Sequence, residues 1–282
     1  MTDKRLAFTK MQSLGNDFVM IDGVRKHIRL SRNIASRISD RHYGIGCDQI
    51  IMAERGRGSD EFLMRVFNAD GSEVGQCGNG ARCFAVFLKD QGLCRNGRVK
   101  VETITTRLEL EINEDESVSA SMGVPEFRPS KIPLLADREQ LQYTVSIDHR
   151  EIGFSAVSVG NPHCVLFVPN CATADVAGLG PTLENHPIFP ERTNVGFAQT
   201  VSRKEINLRV FERGVGETQG CGSGACAAVA TGVRTGILDR EVVVNLPGGR
   251  AVVDWMSEEA PIRLTGGVET VFHGEFKLDD VP

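Results

Sequence analysis

The sequence lacks the features that mark membrane, nucleic-acid-binding and metal-dependent proteins. No apolar run approaches the roughly 18 residues of a transmembrane helix, and Met1 to Phe8 lack the apolar stretch of a signal peptide. The net charge of −5 argues against nucleic acid or an anionic membrane as a partner. The histidines form no His-x-x-x-His pair and the cysteines no Cys-x-x-Cys pair, so we expect no metal. We therefore predict a cytoplasmic protein with no nucleic-acid or membrane partner.

Among reactive side chains, cysteine is abundant in this sequence. The chain contains eight cysteines, and without an export signal we expect them to be reduced thiols. Most free cysteines pack as small buried hydrophobic residues, and we predict this for Cys47, Cys83 and Cys226. The length of 282 residues exceeds the roughly 100–150 residues of most domains, so it favours two domains.

The two halves of the chain share a motif in one register. Arg65-Val66-Phe67 recurs as Arg209-Val210-Phe211, at an offset of 209 − 65 = 144 residues. Further positions match at the same offset: Glu73 with Glu217, Cys77 with Cys221, Gly78 with Gly222, Gly80 with Gly224 and Ala81 with Ala225. A weaker echo relates Gly15-Asn16 to Gly160-Asn161. Because the offset is close to half the chain length, duplication of one domain explains the pattern.

Short strand-like runs outnumber helical patterns along the chain, which is typical of β-rich α+β domains. We predict an α+β fold of two pseudo-symmetric duplicated domains, each a β-rich, barrel-like sheet wrapped around a central helix. The predicted domains are residues 1–122 and 123–266, and the last strand, about 267–282, is predicted to pack back on the first domain. The proline-containing stretch 124–138 is predicted to connect the halves.

The apolar spacing after Cys77 and after Cys221 predicts a helix in each half, ending near Gly92 and Gly236. A helix N-terminus presents unpaired N–H groups and a partial positive charge, which lower the pKa of a thiol placed there and suit a bound carboxylate. If the two helix starts face one cleft, one thiolate removes an α-proton and the other thiol protonates the opposite face. This pattern predicts a two-base, cofactor-independent amino-acid epimerase.

Several blocks of the sequence resemble those of diaminopimelate epimerases. The two cysteine blocks and their surroundings carry most of the resemblance: Asn68-Ala69-Asp70-Gly71-Ser72-Glu73, Cys77-Gly78-Asn79-Gly80-Ala81-Arg82-Cys83 and Gly216-Glu217-Thr218-Gln219-Gly220-Cys221-Gly222-Ser223-Gly224-Ala225-Cys226. Four shorter blocks add to it: Gly15-Asn16-Asp17-Phe18, Gly44-Ile45-Gly46-Cys47-Asp48-Gln49, Gly160-Asn161-Pro162-His163 and Pro247-Gly248-Gly249. The family implies a homodimer that interconverts LL- and meso-diaminopimelate for lysine and cell-wall synthesis, without pyridoxal phosphate or metal.

The resemblance also implies roles for individual residues. Cys77 and Cys221 are implied to be catalytic, and His163 and Glu212 to tune the pKa of the two thiols. The implied substrate-binding residues are Asn16, Gln49, Asn68, Gly78, Asn79, Asn161, Asn194, Glu212, Arg213, Gly222 and Ser223. Three positions depart from the family pattern: Gly220 replaces an expected Ala, Cys47 an expected Phe, and Phe272 a Tyr linked to dimer contacts in some members.

Three other functions remain open at this point. A proline racemase-like enzyme would share the duplicated fold and the paired cysteines, but would not need a distal clamp such as Arg213. A cysteine hydrolase could use Cys77 as nucleophile and His163 as base, which leaves Cys221 unexplained. An amino-acid-binding protein without catalysis would bind its ligand and exchange no proton.

Overall fold

The structure is a computed structural model that describes residues 5–58, 61–75, 77–94 and 97–278. The chain divides into two compact units. The N-terminal unit comprises Met1–Ala120 and Gly266–Pro282, and the C-terminal unit comprises Ser121–Thr265.

Strands dominate both units. The first part of the chain forms β1 (Arg5–Ser13), β2 (Asn16–Asp22), α1 (Arg32–Ser39), β3 (Gln49–Arg55), β4 (Glu61–Asn68), β5 (Glu73–Val74), α2 (Gly78–Asp90), β6 (Arg98–Glu102), β7 (Arg107–Ile112) and β8 (Val118–Ser121). The second part forms β9 (Tyr143–Ile147), β10 (Arg150–Ser158), β11 (Pro162–Phe167), α3 (Val176–Glu184), β12 (Asn194–Ser202), β13 (Glu205–Glu212), β14 (Gly216–Thr218), α4 (Gly222–Arg234), β15 (Glu241–Leu246), β16 (Gly249–Asp254) and β17 (Arg263–Gly266). The final strand, β18 (Glu269–Lys277), belongs to the N-terminal unit and pairs antiparallel with β1.

The N-terminal unit forms a mixed sheet. β1 pairs antiparallel with β2, β2 parallel with β3, and β3 antiparallel with β4. β4 then pairs parallel with β6, which continues antiparallel through β7 to β8. A parallel pair needs a long crossover connection. The connection from β2 to β3 carries α1, and the connection from β4 to β6 carries α2.

The C-terminal unit repeats this succession of pairings. β10 pairs antiparallel with β11, β11 parallel with β12, and β12 antiparallel with β13. β13 pairs parallel with β15, and β15 antiparallel with β16. Phe18 lies opposite Gln49 in the first parallel pair, and His163 lies opposite Asn194 in the second. Both residues of the second pair follow those of the first by 145 positions (163 − 18 and 194 − 49), so the duplication extends to strand register.

One helix lies at the centre of each unit. α2 packs against β1, β2, β3 and β7, and α4 against β10, β11, β12, β13 and β16. Every residue of α4 from Ala225 to Gly232 is buried. Its small side chains let several strands approach the helix axis. These features confirm the predicted α+β class with a β-rich sheet around one helix.

Cys83 and Cys226 are fully buried in these helices, and Cys47 is buried in the apolar core of the N-terminal unit. Burial raises the pKa of the Cys83 and Cys47 thiols above the ordinary range. All three cysteines therefore pack as predicted.

The proline-containing stretch 124–138 is not a linker between the halves. Ile132 and Leu134 are buried in the apolar core of the C-terminal unit, with Phe154 and Phe189. The prolines favour turns, but the apolar side chains between them bury surface against the sheet. The prediction of a connecting segment at this place is wrong.

Candidate functional site

Cys77 is the N-cap residue of α2. Its backbone is extended, with φ −146° and ψ 114°, and its sulfur accepts a hydrogen bond from the amide of Gly80 at 3.4 Å. An N-cap side chain normally satisfies one of the unpaired amides of the first turn with an oxygen. Here a half-buried thiol does so. The predicted position of this cysteine at a helix start is confirmed.

Asn16 stands beside Cys77 at the start of β2. The Cys77 thiol donates to Asn16 Oδ1 over 3.7 Å, and Asn16 Nδ2 donates to Asp48 Oδ2 at 2.6 Å. One predicted substrate ligand is thus already in contact with the thiol of its own unit.

Gln49 and Asn68 lie opposite each other where β3 begins and β4 ends. Gln49 Nε2 donates to Asn68 Oδ1 at 2.9 Å, and Asn68 Nδ2 donates to the hydroxyl of Ser72 at 3.2 Å. Gln49 Oε1 is buried and has no hydrogen-bond partner within the part of the chain that the structure describes. A buried free acceptor is costly, and it is the kind of group that an ammonium satisfies.

The first turn of α2 is held by a buried arginine. Arg82 Nη2 donates to Asn79 Oδ1 at 2.7 Å and to the hydroxyl of Ser13 at 2.8 Å. Arg82 and Asn79 are both buried. Gly78 and Asn79 are the first two residues of α2, so their amides belong to the open N-terminal turn.

Cys221 is the N-cap residue of α4 and repeats the arrangement of Cys77. The amide of Gly224 donates to its sulfur at 3.4 Å, and the hydroxyl of Ser223 lies 3.5 Å from the same atom. Burial raises the pKa of Cys221 well above the usual value, and the nearby carboxylate of Glu212 adds to this increase. The hydrogen bonds with the Ser223 hydroxyl and with the Gly224 amide lower this pKa by less, so the prediction of a lowered thiol pKa is wrong for Cys221. Sequence reasoning missed the burial.

Asn161 and His163 form a second polar pair in the C-terminal unit. The Nε2 atom of His163 lies 3.0 Å from Asn161 Oδ1, and Asn161 Nδ2 donates to the hydroxyl of Ser223 at 3.4 Å. Burial, with a smaller contribution from Arg213, lowers the pKa of His163 to about 3. His163 is therefore neutral at physiological pH, with the proton on Nε2 facing Asn161.

Asn194, Glu212 and Arg213 lie together where β12 begins and β13 ends. Asn194 Nδ2 donates to the carbonyl of Pro162 at 2.8 Å, and Asn194 Oδ1 accepts from the backbone amide of Arg213 at 3.0 Å. Both ends of this amide are engaged, so Asn194 fixes the position of Arg213. The side chain of Arg213 donates to the carbonyl of Glu191 at 3.0 Å, and Glu212 accepts from the hydroxyl of Thr218.

Each unit therefore contains one of the two cysteines together with its own set of predicted residues. The N-terminal unit holds Cys77, Gly78, Asn79, Asn16, Gln49 and Asn68, and the C-terminal unit holds Cys221, Gly222, Ser223, Asn161, His163, Asn194, Glu212 and Arg213. Three supporting residues were missed: Asp48, Arg82 and Glu184. Asp48 and Arg82 lie inside the sequence blocks that carry the family resemblance, and this position was a signal that could have identified them. Glu184 stands alone in the sequence, and only the fold brings its carboxylate to the amide of Gly214 at 2.7 Å.

The described part of the chain offers neither a metal-binding cluster nor a membrane-spanning helix. Over residues 5–58, 61–75, 77–94 and 97–278, no group of three or more His, Cys, Asp and Glu side chains is arranged to hold a metal ion. No helix in that same part of the chain is long and apolar enough to cross a membrane.

Comparison with protein families agrees with the sequence resemblance. The family model described as diaminopimelate epimerase matches residues 8–128 and 155–271. A diaminopimelate epimerase of Teredinibacter turnerae is 48% identical over 275 residues, which cover 97% of this chain and 100% of the relative. One of Nitrosomonas europaea is 47% identical over 274 residues, with the same coverage.

Solved structures share the fold at low sequence identity. A hydroxyproline epimerase from Agrobacterium vitis matches with a TM-score of 0.68 and 12% identity, covering 99% of this chain and 94% of its own. A phenazine biosynthesis protein of the PhzF family from Bacillus anthracis matches with a TM-score of 0.66 and 16% identity, covering 98% and 100%. At such low sequence identities, these structural similarities support the fold alone.

Proposed function

The chain belongs to the diaminopimelate epimerase family, and we propose that it is an isomerase that interconverts LL- and meso-diaminopimelate. The observation that carries this proposal is the repeated cysteine N-cap. In each unit the sulfur accepts from the amide three residues later, at 3.4 Å. Family membership supports the substrate, and the matched thiols support the chemistry.

The reaction inverts one α-carbon by two proton transfers. One thiolate takes the α-proton from one face, and the other cysteine gives a proton from its thiol to the opposite face. The raised pKa of Cys221 keeps the proton on its sulfur before substrate binds, which suits Cys221 to act first as the acid. The reacting carboxylate accepts from the first-turn amides of Gly78, Asn79, Gly222 and Ser223, where helix N-termini stabilise the charge that develops.

The distal end of diaminopimelate carries an ammonium and a carboxylate. The free Oε1 of Gln49 and the amide of Asn68 supply acceptors for an ammonium. The guanidinium of Arg213 offers two parallel donors to a carboxylate, and Glu212 offers an acceptor. The other predicted polar residues are proposed to support the site in each unit. Asn16 contacts the Cys77 thiol, and His163 contacts Asn161. Asn194 accepts from the backbone amide of Arg213.

The test follows LL-diaminopimelate in deuterium oxide, with deuterium uptake at Cα and the change of optical rotation as readouts. The wild-type chain is expected to exchange and epimerise, and Cys77→Ala and Cys221→Ala are each expected to lose epimerisation. Cys94→Ala is the matched control, because this half-buried thiol donates to the carbonyl of Arg98 and, within the described residues, has no other hydrogen bond from its side chain. Full turnover in either of the first two variants would refute the two-base scheme.

The same assay separates the other candidate functions. Activity on proline with none on diaminopimelate would favour a proline racemase-like enzyme. A trapped acyl-enzyme would favour a hydrolase, although a buried His163 with a pKa of about 3 is a poor base at neutral pH. Binding with no exchange would favour a non-catalytic binding protein.

The proposal also covers the domain organisation, the oligomeric state and the cellular location of the protein. The two compact units are proposed to correspond to the predicted domains, 1–122 with 267–282 and 123–266.

The chain is proposed to be a homodimer, and Val271 and Phe272 on β18 are its candidate contact residues, because both are exposed apolar side chains. Sedimentation tests the dimer: the Phe272→Asp variant is expected to have the mass of a monomer. A cytoplasmic location is proposed because all eight cysteines are free thiols.

A further inference from the structure

The amide of Asn16 lies between a carboxylate and the Cys77 thiol. Asn16 Nδ2 donates to Asp48 Oδ2 at 2.6 Å, and Asn16 Oδ1 accepts from the thiol over 3.7 Å. An ionised carboxylate only accepts hydrogen bonds. Asp48 therefore determines which end of the Asn16 amide faces the sulfur, and it turns the oxygen that way.

Asp48 is itself held in place by charged neighbours. Arg41 Nη2 donates to Asp48 Oδ1 at 2.7 Å, and the amide of Asp17 donates to Asp48 Oδ2 at 3.2 Å. Arg41 also forms two hydrogen bonds with the carboxylate of Asp17, which accepts from Lys10 at 2.6 Å as well. Burial opposes ionisation of Asp17, but the bonds from Arg41 and Lys10 outweigh it and hold the pKa of Asp17 well below its usual range. Several bonds thus fix Asp48, although its side chain is partly exposed.

The C-terminal unit orients the equivalent amide in another way. Asn161 follows Asn16 by 161 − 16 = 145 positions, and its oxygen faces His163 while its nitrogen donates to Ser223, which contacts Cys221. The residue 145 positions after Asp48 is Thr193, a neutral side chain. The carboxylate is therefore specific to the unit that carries Cys77.

We propose that Asp48 is a positioning residue that locks the Asn16 amide with its oxygen toward Cys77, so that this amide accepts from the protonated thiol and offers no N–H donor to the thiolate. This sets the pH at which Cys77 becomes a thiolate and so deepens the proposed function, on which its meaning for catalysis rests. Among the described residues, the other charged or titratable groups around this chain of contacts are Lys10 on β1, Asp17 on β2, Arg41 after α1, and Arg82 and Cys83 on α2.

The test measures the rate at which iodoacetamide alkylates Cys77 over a range of pH, by mass spectrometry and without substrate. In Asp48→Asn the freed Asn16 amide can turn its N–H groups toward the sulfur, which stabilises the thiolate. Alkylation of Cys77 below neutral pH is then expected to be roughly tenfold faster than in the wild type, the size of one hydrogen bond to a charged group. Alkylation of Cys94, also half-buried, is expected to stay unchanged and serves as the internal reference.

A double-mutant cycle separates orientation from simple loss of charge. If Asp48 acts through Asn16, the acceleration disappears when Asp48→Asn is combined with Asn16→Ala. If its charge acts directly on the sulfur, the acceleration remains in that background. Persistence of the acceleration, or none in the single variant, would overturn the proposal. Asp239→Asn, which also removes a partly exposed, arginine-paired carboxylate, is expected to alkylate like the wild type.

Two safeguards keep the result interpretable. If the circular dichroism of Asp48→Asn departs from the wild type, Asp48→Thr introduces the side chain found at the equivalent position and is expected to give the same acceleration. Because alkylation needs no substrate, failure of the deuterium-exchange assay would refute the proposed function and leave the orientation of Asn16 tested on its own.

Discussion

The amide of Gly224 lies 3.4 Å from the sulfur of Cys221, and a side chain at this glycine would meet that sulfur. A Cβ added there would stand 3.3 Å from Cys221 Sγ and 2.9 Å from Val210 Cγ2. In the other unit a Cβ on Gly80 would stand 2.3 Å from Ile51 Cδ1 and 3.4 Å from Cys77 Cβ. The second glycine of each Cys-Gly-x-Gly block therefore lets the helix turn pack closely against its N-cap cysteine.

Gly224→Ala is expected to lower both stability and turnover. Overpacking of this kind costs about 1–3 kcal/mol, and relief of the contact moves the sulfur from its position over the helix start. Urea unfolding measures the first effect, and deuterium exchange at Cα measures kcat. Gly267→Ala is the control, because its added Cβ would meet nothing within 4 Å. Wild-type stability and kcat in Gly224→Ala would contradict this account of the motif.

Local signals predicted much of this arrangement from the sequence. The spacing of Cys77 and Cys221, each followed by glycine and then by apolar residues of helical period, predicted both helix starts. Burial of Cys221 and the approach of Glu212 depend on how β13 packs beside α4. No spacing in the chain encodes that proximity, so the direction of the Cys221 pKa shift was out of reach. The roles of Asp48 and Glu184 depend in the same way on contacts between distant segments.

Glu212→Gln is expected to lower the pKa of Cys221. Burial is the larger cause of the raised pKa and remains, while the carboxylate that also raises it is removed. The readout is the ultraviolet absorbance of the thiolate over pH, taken as the difference from Cys221→Ser. Glu217→Gln, which alters a carboxylate paired with Arg209, is expected to move the curve less. A curve displaced to higher pH in Glu212→Gln would show that the carboxylate does not oppose the thiolate.

Glu184→Gln is expected to raise KM for diaminopimelate about fivefold with little change in kcat, since a weaker hydrogen bond costs about 1 kcal/mol. The buried carboxylate of Glu184 accepts from the amide of Gly214, next to the proposed clamp Arg213. Loosening this turn affects binding of the distal carboxylate and leaves the thiols in place. Steady-state kinetics separate the two constants.

Glu191→Gln is the matched control for Glu184. Glu191 is exposed and contacts Arg213 through its backbone carbonyl, so its side chain is dispensable and wild-type constants are expected. A loss confined to kcat in Glu184→Gln would place Glu184 in the chemical step instead.

His163 is expected to make the stability of the protein depend on pH between neutral and mildly acid conditions. Burial lowers its pKa to about 3 in the folded state, whereas an unfolded histidine titrates near 6.5. Between these values the unfolded chain binds a proton that the folded chain does not, so the free energy of unfolding falls as pH falls. The contribution of neutral His163 to the free energy of unfolding is fully present well above pH 6.5. About 1.4 kcal/mol of it is lost between pH 8 and pH 5.5. Carboxylates such as Asp17 act in the same direction, but only at lower pH.

Urea unfolding at pH 8 and at pH 5.5 measures this dependence. His163→Gln keeps a donor for Asn161 and carries no titrating group, so the difference between the two pH values is expected to shrink by about 1.4 kcal/mol, whatever the absolute stability of the variant. His149→Asn replaces an exposed histidine in the β9–β10 turn and is expected to keep the wild-type difference. An unchanged difference in His163→Gln would mean that His163 is protonated in the folded protein, and the neutral pair with Asn161 would then be wrong.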